Sequence, residues 1–294
     1  METEVNAFLS KLGADRAYSE STQLAYANDL RVFLLYLESN EDHPPVLEDL
    51  NTEQVVNFLE AERNLGRRKN TLIRRLATLT YFQDYLVEEG SFAANRFDGS
   101  DSIIKQVISQ TAEKQSPRCL SDPQVKEILA ILESSSRPRA LRDRAIFMLL
   151  LETGLSVAAL TALDMTDVDI ASRRLHVHLA WVGDVWLGME KAYSPLREYI
   201  LEGRPDLLQK PGEPALFISQ MDGRLSRQGV WQILRYWGEQ AEPAIPLSPR
   251  LVRHSAALRM KKGGMSSADI QKRLGHRNLL STQALLRRLE ANCE

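Results

Sequence analysis

LSPRLVRHSAALRM, residues 247–260, and LGHRN, residues 274–278, are the two stretches on which the reading of this chain turns. Their periodicity predicts helices over 249–262 and 266–274, with a last helix near 281–290. From 250 to 288 the chain carries ten basic residues and one acidic residue, Asp269, for a net +9. Arg250, Arg253, Lys261 and Lys262 fall on the first of these helices, and His276 and Arg277 follow the second. Arginine is suited to phosphate because its fork of N–H groups meets two oxygens at once. Cations gathered with almost no acid among them are the expected footprint of a polyanion on one face. The plainer alternative is a solvated helix face.

A second basic run lies at 67–75, RRKNTLIRR, with Arg67, Arg68, Lys69, Arg74 and Arg75 and no acid. The chain as a whole has 294 residues and a net charge of −2, so everything outside the two runs carries −16. Composition is otherwise that of a globular protein, with 44% hydrophobic and 26% charged residues. No apolar run approaches the roughly 20 residues of a membrane helix, so no membrane association is expected. The N-terminus METEVNAFLSKLGADR lacks the basic-then-apolar pattern of a signal peptide. Cys119 and Cys293 give neither a disulfide framework nor a zinc-ligand cluster. These features place the protein in the cytoplasm, nucleoid-associated, with reduced thiols and without a cofactor or metal.

The length allows two domains. Residues 1–92 read as a bundle of about four helices. SESTQLAYANDLRVFLLYLES offers Ser19, Ser21 or Thr22 as an N-cap, HPPV stops that helix, and Gly66 and Gly90 close the next two. Residues 93–118 lose periodicity and read as a linker. The second domain, 119–294, opens with a helix at SDPQVKEILAILESS, with Ser121 as the N-cap. A strongly apolar helix, RDRAIFMLLLETGL, then ends at Gly154. RRLHVHLAW alternates Leu175, Val177 and Leu179 against His176 and His178, and a turn at Gly183-Asp184 leads to a second strand, Val185–Leu187. The fold class expected is mainly α: a helical N-terminal domain, then a helical domain with a small antiparallel sheet.

These stretches together resemble the tyrosine recombinase/integrase family, particularly its Xer-type members. LSPRLVRH followed by LGH is similar to the family's L-S-P-H-x-L-R-H and L-G-H. LLLETGLSVAALTAL is similar to its T-G-L-R-x-x-E-L, and two N-terminal helices resemble its core-binding, SAM-like domain. The resemblance implies a DNA-binding protein of the two-domain kind, acting in DNA recombination or integration. In that family a tyrosine attacks a DNA phosphodiester, two arginines and a His or Trp hold the phosphate, and a hairpin Lys and another His move protons. Donors aimed at developing charge are typically worth about 3–4 kcal/mol each.

Carried over residue by residue, much of that set is missing. The first arginine position is Ser156, and the acid three residues on is Ala159. Arg250 stands where the family has a histidine, and the nucleophile position nine residues after His276 is Leu285. No tyrosine follows Tyr236, and the hairpin AWVGDVWLG has no lysine. Arg253 and His276 are retained. On these residues the chain is expected to be a non-enzyme that clamps duplex DNA, with Arg250 as a permanent charge that binds phosphate and moves no proton. The two basic runs and His276 are the candidate contacts.

Each assignment has a plainer alternative. Arg253 could pair with a carboxylate in the fold, and His276 could pack at a helix end. His176 and His178 read as exposed strand histidines rather than metal ligands, and Trp181 and Trp186 as packing residues. Two other functions stay open. One is a divergent recombinase whose nucleophile is unrecognised, with Ser281, Thr282 and Cys293 as conceivable substitutes, or is supplied by a partner. The other is a protein that contacts an active recombinase, or itself through its C-terminal tail, without binding DNA.

Overall fold

The computed structural model describes residues 1–14, 18, 20–99, 101–111, 117–179, 181–209, 211–221 and 223–293. The chain forms two compact units, Met1–Gln115 and Ser116–Glu294.

In the first unit, α1 (Glu2–Ala14), α2 (Glu20–Asn40), α3 (Thr52–Asn64), α4 (Lys69–Glu88) and α5 (Ser102–Ser109) surround one apolar core. Leu30, Phe33 and Leu37 of α2 recur at helical spacing and are buried against Phe58 of α3 and Phe82 of α4. Helix α2 begins at Glu20, so Ser21 and Thr22 lie inside it, and Ser19 falls outside the described residues. The stretch 93–118, read from sequence as a linker, contains α5. Its N-cap Asp101 accepts from the Ile103 N–H, and Ile104 and Val107 are buried in the core. Ile108 packs partly against the same core; α5 is only eight residues long and is flanked by polar residues, which hides its period in the sequence.

The second unit runs α6 (Asp122–Glu133), α7 (Pro138–Thr153), α8 (Val157–Ala162), β1 (Val168–Asp169), β2 (Arg174–Leu179) and β3 (Gly183–Gly188). It continues through α9 (Tyr193–Glu198), a π turn at Tyr199–Gly203, α10 (Arg204–Leu207), α11 (Arg227–Glu239), α12 (Pro249–Lys262), α13 (Ser267–Leu274) and α14 (Leu279–Asn292). Helix α6 starts with a reciprocal capping box between Ser121 and Gln124. The strands form an antiparallel sheet in the order β1-β2-β3, with His176 opposite Trp186 and Val177 opposite Val185. Leu175, Val177 and Leu179 enter the core, as their alternation requires. Helix α7 is buried along most of its length and is the centre of that core. A second cluster joins Ala256 and Leu258 of α12, Ile270 and Leu274 of α13, and Leu286 and Leu289 of α14.

Cys119 and Cys293 depart from expectation. They form a disulfide, with a Cα–Cα distance of 6.0 Å across 174 residues of sequence. The thiols are therefore not free, because the fold returns α14 to the segment that precedes α6. Among the described residues, no helix is long and apolar enough to cross a membrane.

Candidate nucleic-acid interface

The two halves of the LSPRLVRH and LGH signature meet because of Arg253. Its guanidinium donates to the Gly154 carbonyl at 2.9 Å and to the Leu274 carbonyl. Gly154 caps the C-terminus of α7 and Leu274 is the last residue of α13. Arg253 is therefore held by the negative ends of two helices, where carbonyls lack intrahelical donors. Gly154 sits at φ +67°, and a Cβ there would come within 2.7 Å of Leu274. A glycine allows both the turn and the close approach. Burial lowers the pKa of Arg253 to about 10, so it remains charged at neutral pH. Arg253 thus has an internal structural role, though its partners are helix-end carbonyls and not the carboxylate anticipated from sequence.

Around it stand Arg250, His254 and His276. Arg250 is exposed, and its Nε donates to His254 Nε2 at 3.5 Å. His254 Nδ1 is 3.3 Å from the Arg118 carbonyl, and burial and then the Arg250 charge lower its pKa. His276 Nδ1 is 2.9 Å from the Thr282 hydroxyl. Burial, then the charges of Arg253 and His254, push the His276 pKa down to about 4. Both rings are thus held towards their neutral forms. Among the described residues, neither Arg250 nor Arg253 has a carboxylate within ion-pair distance. Two cations and two imidazoles without an acid among them form an anion site in chemical terms.

Ser156 caps α8 by accepting from the Ala159 N–H at 3.1 Å. Leu285 is half-buried and packs against the α12–α14 cluster, where it supplies no polar atom. Lys261 is half-buried, Lys262 is exposed, and the exposed Arg277 lies 4.9 Å over the Trp181 ring at the hairpin tip. Sequence spacing alone could not reveal that pairing or the Thr282–His276 contact. His176 Nδ1 lies 3.4 Å from Asp167 with its ring 5.1 Å from Trp186, and His178 Nδ1 lies 3.0 Å from Asp184. No cluster of metal-ligating residues occurs among the described residues.

The basic run of the first unit divides. Arg75 is only 4% exposed and pairs with Glu62, with Asp29 at 3.6 Å. Arg74 pairs with Asp29 and donates to the Ala25 carbonyl at 3.1 Å. Arg67 donates to Glu62 at 3.2 Å. Asp29 and Glu62 are buried carboxylates, and α4 supplies their counter-charges. Arg75, expected to face DNA, is buried instead, while Arg74 is half-buried with its guanidinium on Asp29. Arg68 and Lys69, at the start of α4, make no ion pair among the described residues.

Residues 118–290 match the phage integrase family and residues 5–90 its N-terminal SAM-like domain. The chain belongs to the phage integrase family. Its curated relatives include tyrosine recombinase XerC of Herpetosiphon aurantiacus, 29% identical over 96% of this chain and 90% of the relative. Tyrosine recombinase XerD of Listeria monocytogenes is 28% identical over 96% of this chain and 93% of the relative. Among solved structures, the Tn1549 transposon integrase in complex with transposon right end DNA superposes with a TM-score of 0.73 at 16% identity, covering 96% and 94% of the two chains. A lambda integrase tetramer bound to a Holliday junction gives 0.67 at 18%, covering 97% and 76%.

These integrase-family relatives overturn the expectation of a non-enzyme. Relatives matching nearly the whole chain are named tyrosine recombinases, which are enzymes, and the family match runs through positions 156, 250 and 285.

Proposed function

We propose that the second unit binds duplex DNA through its phosphates, with Arg250, Arg253, His276, Lys261, Lys262 and Arg277 forming the contact surface, and that the protein works in DNA recombination. The observation that carries this reading is the cation cluster around Arg253, which has no carboxylate to neutralise it among the described residues. Two of the five N–H groups of Arg253 are held by helix-end carbonyls, and the rest have no acceptor among the described residues, which leaves them to phosphate oxygens in this reading. In the first unit Arg68 and Lys69 support the same reading. They place positive charge on the positive end of α4, an unfavourable arrangement that an incoming phosphate would reverse. The named relatives and the DNA-bound integrases support DNA as the partner and self-association on that DNA; a cytoplasmic, nucleoid-associated site of action is part of the same proposal. The test is binding of a labelled duplex by fluorescence anisotropy. Saturable, salt-sensitive binding is expected, and none at low salt would refute the reading.

One contact favours a second reading, in which the chain cleaves DNA itself. The Thr282 hydroxyl lies 2.9 Å from His276 Nδ1 and also reaches the Asn278 carbonyl at 3.4 Å; with the ring proton on Nε2, His276 would accept from the hydroxyl, the hydroxyl–imidazole pairing that activates a nucleophile. Thr282 is buried, so attack on a phosphate would require the α13–α14 turn to open. A nicked suicide duplex should then trap a covalent adduct that Thr282→Val abolishes. An adduct that persists in Thr282→Val would place the nucleophile elsewhere, and an adduct formed only with a second recombinase present would place it on the partner.

A further inference from the structure

A cavity of about 790 Å³ lies at the start of α7. At about 1.5 Å per residue, the sixteen-residue helix places it roughly 20 Å from Gly154, far from the Arg253 cluster. Cavities of this size suit a small organic ligand. One wall is the first turn of α7. Arg137 and Arg139 stand there, exposed and without an ion pair among the described residues. Pro138 has no N–H, the N-cap position Arg137 provides no side-chain cap, and the N–H groups of Arg139 and Ala140 have no acceptor among the described residues. Another part of the lining, at the end of α11, is aromatic: Tyr236 is 53% exposed, and its ring meets Trp237 at 5.1 Å and 77°. The rest of the lining is mixed, with Leu225 and Ile233 beside the polar Ser226 and Gln232.

The floor decides the charge. Buried Arg142 donates to Asp143 at 2.9 Å and to the Ile218 carbonyl at 2.8 Å, and Trp237 Nε1 donates to the other Asp143 oxygen at 2.9 Å. That carboxylate is fully engaged, and its one negative charge is matched by Arg142. Among the described lining residues, Arg137 and Arg139 therefore leave two positive charges in excess, beside N–H groups without an acceptor among those residues and an exposed ring.

We propose that this cavity binds a nucleoside monophosphate, with the phosphate on Arg137, Arg139 and the α7 N–H groups, and the base against Tyr236. Phosphate alone would engage the arginines, and a nucleoside alone the ring. A ligand carrying both engages the arginines and the ring at once.

Titration calorimetry on the full chain tests this with AMP, adenosine and inorganic phosphate. AMP should bind once per chain, at least about tenfold more tightly than adenosine or phosphate. Arg137→Ala with Arg139→Ala, and separately Tyr236→Ala, should each weaken AMP by about tenfold or more. All three side chains are exposed, so circular dichroism should show the variants folded, and Tyr236→Ala serves alone if the arginine variant is not. Absence of saturable AMP binding, binding unchanged in the variants, or phosphate binding as tightly as AMP would each overturn the proposal. So would displacement of AMP by a DNA duplex, because the natural occupant would then be a nucleotide of the DNA strand.

Discussion

Replacing Arg250, Lys261 and Arg277 together with alanine should change how DNA binding responds to salt, and the size of the change follows from counting phosphates. Each phosphate neutralised on duplex DNA adds about 0.9 to the slope of log K against log salt. Removing three such cations should lower the slope by about 2.7. Between about 50 and 200 mM salt, a fourfold rise, the parent protein should then lose roughly 40-fold more affinity than the variant. These residues are chosen for their surroundings. Arg250 touches only His254 and is exposed. Lys261 is eleven residues further along α12, which turns the helix back to nearly the same face. Arg277 is exposed above Trp181. None has an ion-pair partner among the described residues, so no buried carboxylate is left unpaired and the fold should survive. Arg253 is left intact because its loss would orphan the Gly154 and Leu274 carbonyls. The assay is anisotropy of a labelled duplex over a salt series, with unfolding curves as a control. An unchanged slope in a folded variant would refute the assignment of these side chains to phosphates.

Three further outcomes concern stability. Reducing the Cys119–Cys293 bridge, or making Cys293→Ser, should lower stability by about 2–4 kcal/mol, because the bridge closes a loop of 174 residues in the unfolded chain. Urea unfolding with and without reductant reads this, and superimposable curves would mean that the bridge does not form. For His276 the folded pKa is about 4 against an ordinary 6.5, so between those values the unfolded chain holds more protons. Its stabilising contribution is therefore present above about pH 6.5, declines as pH falls, and is gone below about 4. A His276→Gln variant should lose less thermal stability than the parent between pH 7 and 4.5, and equal losses would contradict the buried neutral ring. Gly238→Ala should cost about 3 kcal/mol or more, because its Cβ would fall 2.3 Å from the Ile245 carbonyl oxygen and 2.7 Å from the Leu247 Cβ. An unfolding midpoint equal to the parent's would show that the 245–247 segment yields freely.

What could be read in the residues, and what could not, divides along physical lines. Periodicity placed α12 and α13, the alternation of Leu175, Val177 and Leu179 placed β2, and the signature at 247–260 and 274–278 pointed to the family. All of these depend on residues near one another in the chain, where helix and strand geometry fix which side chains share a face. Helix α5 escaped notice because it is only eight residues long and its partners lie on α3 and α4. The non-enzyme reading was overturned by relatives named tyrosine recombinases that match nearly the whole chain, which no single residue of the sequence could announce.

Charge was the property that the residues alone described least well. The run at 67–75 contains five cations whichever way they point, but only packing buried Arg75 on Glu62, tied Arg74 to Asp29, and left Arg68 and Lys69 without an ion pair among the described residues. Arg253 was legible as a phosphate-binding type of residue. Its attachment to the ends of α7 and α13 required the fold to bring Gly154, Arg253 and Leu274 together. The same holds for Cys119 and Cys293. The helices, the sheet and the family were legible in the residues, because they follow from short-range pattern and from likeness along the chain. Which charges are spent inside the protein and which remain for a ligand was settled only by tertiary packing, because a cation is neutralised by what lies within a few ångströms of it, however distant in sequence.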